Sequence, residues 1–267
     1  MRLVATDLDG TIVRRDGTVS ARTVAALAAV EDAGIPLVLV TGRPPRWMRP
    51  VVEATGHHGV AICANGGVVF DLHTERILEA FLLPSDAGQE AVRRIRAVMP
   101  GAAFAVETGA GFAHDPDYRP RWASVPPLRV APAEELVAVP VVKLLVRDED
   151  SDGDAMLALA RAALHGLVEV THSNPQDCLL EISAPGVSKA TTLARVAAEH
   201  GVEAADVVAF GDQPNDLPML SWAGTGYAVA NAHPDVLAAV PLHTGSVEDD
   251  GVAQVLENLL ASGDLRR

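Results

Sequence analysis

The sequence predicts an α/β fold in which a Rossmann-like, doubly wound parallel sheet is interrupted by an inserted α+β domain. Short apolar segments alternate with amphipathic segments of helical period at both ends of the chain, a pattern typical of a parallel sheet covered on both faces. Polar motifs follow several of these apolar segments, and the carboxyl ends of strands are where such sheets bind ligands. The middle of the chain differs in texture and is Pro-rich over 116–140, which indicates a separate domain.

The first part of the chain supplies three strands and a helix. Residues 3–5 are predicted as a buried strand, and Ser20 as the N-cap of a helix that extends to Asp32. The apolar segments 35–40 and 60–62 predict the next two strands. The last part of the chain repeats the alternation, with a strand and three helices predicted over 207–210, 189–200, 217–223 and 252–260.

The middle of the chain is predicted to form the inserted α+β cap domain. Two helices and three strands follow from the patterns over 85–98, 154–164, 103–106, 141–147 and 179–183. We therefore expect a core domain made of residues 1–83 and 185–267, with the cap domain at 84–184 between its two parts.

Composition excludes some classes of function. The chain has 267 residues, of which 49% are hydrophobic, and its formal net charge is -14. Nucleic-acid binding calls for a concentrated basic face and is excluded. The same charge means that any phosphate site needs cations placed locally.

The sequence also bears on compartment and assembly. Cys63 and Cys178 lack metal spacing, so a reduced, cytoplasmic setting is the simpler interpretation, with a disulfide left open. The N-terminus reaches acidic residues before a signal-peptide core could form, and the apolar runs 35–40 and 137–145 are too short or interrupted to span a bilayer. We expect a soluble monomer or homodimer without a membrane partner.

The first motif with chemistry follows the first strand. Asp7 and Asp9 lie two apart in an extended segment, so their carboxylates face the same way. One can attack phosphorus while the other handles protons, and Gly10 lets the chain turn away. The alternative is a solvated acidic turn.

The second and third motifs supply anion contacts. Thr41, Gly42 and Arg43 follow the second strand and offer a hydroxyl and backbone N–H groups ahead of a helix; the alternative is a simple turn with a Pro-started helix. Lys189 is one of only two lysines beside nineteen arginines, and it stands at a predicted helix N-terminus, where the helix dipole disfavours a cation. An anion nearby explains it, and an exposed surface lysine is the alternative.

The fourth motif, Gly211-Asp212-Gln213-Pro214-Asn215-Asp216, follows the strand over 207–210. Asp212 and Asp216 suit Mg²⁺, which favours carboxylate oxygens, although a turn that caps a helix also explains them. Each close pair of like charges costs about 4 kcal/mol at an effective dielectric near twenty. Several acids beside a phosphate therefore require a divalent cation, and the four motifs together predict one phosphoryl-transfer site.

The combined motifs resemble those of the haloacid dehalogenase-like (HAD) superfamily, and within it the Cof-type phosphatases with a type IIB cap. The matching segments cover nearly the whole chain and include residues 7–11, 41–44, 65–67, 180–182, 186–189, 211–216, 228–232 and 248–252. Gln213-Pro214 departs from the commoner small residues at that point but leaves the acids in register.

The resemblance implies a role for each matching residue. Asp7 would be the nucleophile and Asp9 the general acid and then base. Thr41, Lys189 and Asn215 would hold the phosphate. Mg²⁺ would bind Asp7, the Asp9 carbonyl and Asp212, with Asp216 supporting the metal or Lys189. Asp9 favours phosphate esters as substrates, because dehalogenases and phosphonate-cleaving members lack this second aspartate.

Several other residues carry weaker signals. Residues 148–153 imitate the opening of a calcium loop, but Leu159 stands where the closing Glu belongs, so acids ahead of a helix are expected. His57-His58 predicts an exposed turn, and Asn65-Gly66 a structural one. Residues that could face substrate are Arg46 and Trp47 beside the phosphate motif and His114, Asp115, Tyr118, Arg119, His172 and Asn174 in cap loops.

The predicted function is a Mg²⁺-dependent phosphatase whose cap closes over a small phosphorylated metabolite, either a sugar phosphate or a phosphorylated cofactor. Two alternatives remain open at this point. The first is a phosphomutase or a dedicated disaccharide-phosphate phosphatase with the same cap type. The second is a non-catalytic regulator that binds a phosphorylated metabolite.

Overall fold

The computed structural model of the chain describes residues 1–120, 126–173 and 177–266. These residues divide into two units. The first contains Met1–Glu79 and Ser188–Arg267, and the second contains Ala80–Val187. The limits predicted from the sequence, after residues 83 and 184, lie within a few residues of this division. Asn174 lies outside the described residues.

The described part of the chain contains fourteen strands and nine α-helices. The strands are β1 Leu3–Thr6, β2 Leu37–Val40, β3 Val60–Cys63, β4 Val68–Asp71, β5 Arg76–Ala80, β6 Ala103–Glu107, β7 Phe112–His114, β8 Arg129–Val130, β9 Lys143–Arg147, β10 Glu169–Thr171, β11 Leu179–Ser183, β12 Val207–Gly211, β13 Thr225–Val229 and β14 Leu242–Thr244. The helices are α1 Ala21–Asp32, α2 Arg49–Thr55, α3 Ser85–Val98, α4 Ala133–Leu136, α5 Gly153–Ala163, α6 Lys189–Glu199, α7 Leu217–Trp222, α8 Pro234–Ala239 and α9 Gly251–Ser262.

The first unit is built on an eight-stranded sheet with the order β14-β13-β12-β1-β2-β3-β4-β5. Neighbouring strands are parallel from β14 as far as β3, so the predicted parallel core is confirmed. β4 then pairs antiparallel with β3, which the sequence analysis missed. β1 and β12 are adjacent and wholly buried, and this adjacency brings the two acid-bearing motifs to one edge of the sheet.

Two helices of this unit, α1 and α6, begin directly after a serine cap, where the sequence predicts. Ser20 caps α1 by accepting a hydrogen bond from Thr23 N. Ser188 caps α6 in the same way and forms a reciprocal capping box with Thr191. Such caps satisfy backbone donors that the first turn leaves unpaired. α6 therefore starts at Lys189, as predicted.

The second unit is an α+β domain, which confirms the predicted class of the insert. Its six strands have the order β10-β11-β9-β6-β7-β8. β9 lies between β11 and β6 and is antiparallel to both. Apolar residues from α3 and α5 share one core with residues of these strands. Asp152 caps α5 through Ala155 N, in line with the expected acids ahead of a helix.

Several details differ from expectation or complete it. The prediction of an exposed turn at His57-His58 is wrong for His57, which is buried and bonds Glu31 Oε1 through Nδ1 at 2.8 Å. Cys63 and Cys178 form no disulfide bond within the described residues. No helix in the described ranges is both long and apolar enough to cross a bilayer.

Candidate active site

The candidate active site lies at the carboxyl edge of the parallel strands in the first unit. Asp7 follows β1, and its backbone N–H donates to Phe210 O of β12 at 3.0 Å. Thr41 follows β2 and donates its backbone N–H to Ile62 O of β3 at 2.8 Å. Asp212 follows β12. Backbone bonds to neighbouring strands thus fix the starting points of the motifs at Asp7 and Thr41, and the motif at Asp212 begins directly after β12.

Lys189 joins two of these motifs. Its Nζ donates to Asp7 Oδ1 at 2.6 Å and to Asp216 Oδ1 at 2.5 Å. Lys189 and Asp216 are almost completely buried, and Asp7 is 5% exposed. The alternative of an exposed surface lysine is therefore excluded. An ammonium group has three protons, so one of them remains beyond these two bonds.

Asp212 lies on the other side of Asp7. The Thr11 hydroxyl is 3.1 Å from Asp7 Oδ2 and 3.4 Å from Asp212 Oδ1, so it stands between the two carboxylates. Gly10 has a φ of +84°, and a Cβ at this position would lie 2.3 Å from Asp212 Oδ2. Only glycine permits both this backbone conformation and this close approach.

Asp216 organises the loop that carries Asp212. Its Oδ2 accepts the backbone N–H groups of Asp212 at 3.0 Å and Gln213 at 2.9 Å, while Oδ1 holds Lys189. A Cβ on Gly211 would lie 2.5 Å from Asp216 Cβ, so this glycine admits the carboxylate. Both oxygens of Asp216 are engaged, which suits a residue that supports the site from behind.

Burial and neighbouring charges shift the pKa values of the ionisable groups in the site. Burial raises the pKa of Asp7 from its ordinary 3.8 to about 7, and Asp216 adds to the rise while Lys189 opposes it. Burial, Asp7 and Asp216 likewise raise the pKa of Asp212. Burial lowers the pKa of Lys189, but the charges of Asp216 and Asp7 outweigh this and raise the pKa overall. The lysine is thus a permanent cation, whereas burial disfavours the charged forms of Asp7 and Asp212.

The three carboxylates fit a metal ion. One oxygen from each of Asp7, Asp212 and Asp216 lies within 4.8 Å of the others. Three acids face one ammonium, and burial, the main cause of the raised pKa values of Asp7 and Asp212, makes their negative charges still more costly. Carboxylate oxygens are the ligands that hard divalent cations prefer. The donor set could therefore hold a metal ion.

Asp9 is placed differently from Asp7. Its side chain is 57% exposed, and its carboxylate accepts two bonds from Arg43, from Nε at 2.8 Å and Nη2 at 2.5 Å. This fork is a bidentate pairing, which is geometrically specific. The sequence analysis assigned Arg43 to phosphate; in the structure its guanidinium lies on Asp9.

The remaining residues that were predicted to contact substrate differ in their burial and in their partners. Thr41 is buried, and its Oγ1 accepts the backbone N–H of Arg43 at 3.0 Å. Gly42 lies between these two residues on the same turn. Asn215 is buried and donates from Nδ2 to Asn65 Oδ1 at 3.1 Å. Arg46 stacks over the ring of Trp47, 5.1 Å from its centroid.

The cap-loop candidates have structural partners. The side chain of Asp115 is buried and accepts the backbone N–H groups of Phe104 and Tyr118, both at 2.8 Å. His172 is buried and bonds Asp154 Oδ1 at 2.8 Å. Asp115 and His172 therefore both have hydrogen-bond partners inside the second unit. Tyr118 lies under the guanidinium of Arg147.

Sequence reasoning missed two contacts in the site. Thr11 belongs to the first motif but received no role, although its hydroxyl touches two acids. The Arg43–Asp9 pair was also missed, because it joins loops that follow different strands. The available signal was positional: both residues follow adjacent parallel strands, whose carboxyl ends meet at one edge.

Known proteins resemble this chain over almost its whole length. A sequence model of haloacid dehalogenase-like hydrolases matches residues 4–256. Pyridoxal phosphate phosphatase YbhA of Escherichia coli is 28% identical over 268 residues, covering 96% of this chain and 97% of the relative. The 5-amino-6-(5-phospho-D-ribitylamino)uracil phosphatase YcsE of Bacillus subtilis is 26% identical over 266 residues, covering 97% of this chain and 95% of the relative.

A solved structure shares the fold. The HAD subclass IIB sugar phosphatase BT4131 matches with a TM-score of 0.82 and 19% sequence identity, covering 97% of this chain and 99% of that chain. The shared fold includes the insert, as a type IIB cap requires.

Proposed function

This chain belongs to the haloacid dehalogenase-like hydrolases, in their Cof-type branch, and is a phosphatase; on that premise we propose that it hydrolyses phosphate monoesters of small metabolites through an aspartyl-phosphate on Asp7. One observation carries the proposal. Lys189 Nζ lies 2.6 Å from Asp7 and 2.5 Å from Asp216, although these residues come from three separate segments of the chain.

The first step of the proposed reaction phosphorylates Asp7. A carboxylate oxygen of Asp7 attacks phosphorus, the new P–O bond forms, and the bond from phosphorus to the ester oxygen breaks. Asp9 gives a proton to that departing oxygen. The Arg43–Asp9 pair must open before this step and Asp9 must take up a proton from solvent, because a carboxylate held in an ion pair has no proton to donate.

The second step releases phosphate. Asp9, now ionised, accepts a proton from a water molecule, whose oxygen attacks the phosphorus of the aspartyl-phosphate. The bond between phosphorus and Asp7 breaks, which restores the carboxylate and frees inorganic phosphate. One residue thus serves as acid and then as base, as the predicted roles of Asp9 require.

The phosphate group would be held from two sides. The Thr41 hydroxyl already accepts a backbone bond and has its own proton to donate to a phosphate oxygen. Lys189 has a third proton for the same purpose. Gly42, Asn215 and Arg46 remain proposed phosphate or substrate contacts. Arg43 would join them after it leaves Asp9.

We propose that the metal is Mg²⁺, held by Asp7, the Asp9 carbonyl and Asp212, with Asp216 supporting this set and Lys189. When bound, the ion neutralises carboxylate charge and that of the transferring phosphoryl group. Without it, three acids would repel an anionic substrate that Lys189 alone cannot balance. Chelation should therefore abolish turnover, and added Mg²⁺ should restore it.

The proposed substrates are sugar phosphates and phosphorylated cofactors. Two of the similar proteins are named for such compounds, a pyridoxal phosphate phosphatase and a phosphatase of a phosphoribityl-uracil. They differ from each other in substrate, so the shared chemistry is the phosphate monoester. The organic part of the substrate is left to a screen of phosphorylated metabolites ranked by kcat/KM.

The test is release of phosphate from 4-nitrophenyl phosphate with Mg²⁺ by the wild type and by Asp7→Asn. We expect turnover by the wild type and loss of at least about 10³-fold in the variant, since removal of a nucleophile leaves only binding and electrostatic effects. A rapid acid quench should trap phosphate on the wild-type protein alone. Equal rates for both proteins would refute the mechanism.

A further inference from the structure

Asn231, in the turn after β13, uses both ends of its side-chain amide to join separate loops. Its Nδ2 donates to Gly10 O at 2.7 Å, and its Oδ1 accepts the backbone N–H of Val247 at 2.8 Å. Two residues later, His233 N donates to Asp212 O at 2.8 Å. This one turn therefore contacts the backbone of both loops that carry the acids.

The bond to Gly10 completes the restraint of one peptide unit. The carbonyl of Gly10 is held by Asn231, and the amide of the same peptide, Thr11 N, donates to Leu8 O at 3.1 Å. On the other side, Gly10 N donates to Val13 O at 2.9 Å. With its φ of +84°, Gly10 has no preferred conformation of its own, so these bonds determine the direction in which the chain leaves Asp9.

We propose that Asn231 is a positioning residue that holds the Asp9-Gly10 segment so that Asp9 can reach the leaving-group oxygen. This inference rests on the proposed function. Within the described part of the chain, Asn231 forms no hydrogen bond with Asp7 or Lys189, so its effect on the site passes through Gly10. Its loss should impair proton donation more than attack on phosphorus.

Two substitutions separate the two bonds of Asn231. Asn231→Asp retains an oxygen for the Val247 N–H but loses the donor to Gly10 O and places a carboxylate opposite that carbonyl. Asn231→Ala loses both bonds. Asn258→Asp is the matched control, because Asn258 is exposed on α9 and makes no contact used by the site. Asp9→Asn provides the reference for complete loss of the acid.

The readout is the ratio of kcat/KM values for two esters at saturating Mg²⁺. This quantity reports only the steps up to phosphorylation of Asp7. 4-Nitrophenolate leaves without a proton, whereas a sugar alkoxide needs one. The sugar ester is whichever of ribose 5-phosphate and glucose 6-phosphate the wild type hydrolyses faster.

We expect both Asn231 variants to lose about tenfold to a hundredfold in kcat/KM on the alkyl ester, the cost of a misplaced group, with a much smaller loss on the aryl ester. Asn258→Asp should match the wild type. Normal activity of Asn231→Asp beside a defective Asn231→Ala would overturn the inference, since only the Val247 bond would matter. Equal losses on both esters would also overturn it. An inactive wild type would instead overturn the proposed function, and the inference with it.

Discussion

At the scale of single residues, the candidate site is dominated by an imbalance of charge. Lys189 supplies one positive charge among the buried carboxylates of Asp7, Asp212 and Asp216. The protein tolerates this because two of the acids have raised pKa values and can take up protons when no cation is present. A bound divalent ion would replace those protons, so metal affinity and pH should be linked.

The pKa of Asp7 predicts how the stability of the metal-free protein depends on pH. Burial raises this pKa from 3.8 to about 7, so the folded state binds the proton more tightly than the unfolded state. The resulting stabilisation is complete below the unfolded pKa and is lost as pH rises through about 7. With a chelator present, urea unfolding should show the wild type losing more stability than Asp7→Asn between about pH 5 and pH 8.

Mg²⁺ provides the control for that prediction. Because the ion competes with protons, the stabilisation it confers on the wild type should be larger at the alkaline end of this range. Asp7→Asn should show a weaker and flatter response. Parallel pH curves for the two proteins in chelator would mean that folding does not raise the pKa of Asp7.

Gly10 and Gly17 offer a matched pair for testing the close approach at Asp212. Both have a φ of +84°, but a Cβ on Gly10 would lie 2.3 Å from Asp212 Oδ2, whereas nothing lies within 4 Å of one on Gly17. Substitution by Ala should cost each protein about 1 kcal/mol of backbone strain. Only Gly10→Ala should also displace Asp212 and weaken Mg²⁺ activation, measured as the Mg²⁺ concentration for half-maximal rate. Equal Mg²⁺ dependence of the two variants would contradict the assigned contact.

The sequence predicted which residues lie close together better than it predicted their individual contacts. Asp7, Lys189 and Asp212 were recognisable because each follows a strand or begins a helix. The partner of Asp9 was not, because the guanidinium of Arg43 could reach either a phosphate or a carboxylate from the same backbone position. Side-chain direction within a loop depends on the surrounding loops, and sequence spacing carries no information about them.

At the scale of elements, α6 connects local sequence to the chemistry. Lys189 is its first residue, so the cap formed by Ser188 and Thr191 fixes both the start of the helix and the direction of the ammonium. The dipole of the helix opposes a cation here, and the bonds to Asp7 and Asp216 offset that cost. The helix terminus and the acids are therefore mutually dependent.

Two serine caps allow this dependence to be measured. Ser188→Ala and Ser20→Ala each remove a side chain that accepts a backbone N–H in the first turn of a helix. Each should lower the free energy of unfolding by about 1 kcal/mol. Only Ser188→Ala should also lower kcat/KM, by about two- to tenfold, because only α6 carries a site residue. The same kinetic loss in both variants would show that reduced stability alone accounts for it.

The strands and helices that were predicted share a strong local signal. α1 and α3 have the limits that their helical patterns predict: the Ser20 cap agrees with the periodicity of α1, and periodicity alone defines α3. β13 was missed because Gly226 interrupts it, and the structure explains that glycine: a Cβ would lie 2.3 Å from Leu220 O. Glycine is a poor strand former, but the close packing of α7 against β13 requires it at this position. That packing is visible only in the folded structure.

At the scale of the whole molecule, net charge sets the environment in which an anionic substrate arrives. The chain carries a formal charge of -14, yet the proposed substrates are phosphate dianions. Long-range repulsion slows their approach, while the buried site offers attraction only at short range. Dissolved salt screens the exposed charges over about 10 Å at 0.1 M and acts much less on the buried contacts of Lys189.

The kinetics should therefore improve with moderate salt, which is unusual for an enzyme that binds an anion through a lysine. At saturating Mg²⁺, kcat/KM for a sugar phosphate should rise by about twofold as NaCl increases from about 10 mM to 150 mM, because repulsion between like charges is screened. KM should fall and kcat should stay unchanged, because only the approach of the substrate is affected. Saturating Mg²⁺ is essential, since the acidic surface also attracts the metal and salt weakens that attraction. A steady fall in kcat/KM over this range would show that exposed cations near the site, and not the net charge, govern how the substrate arrives.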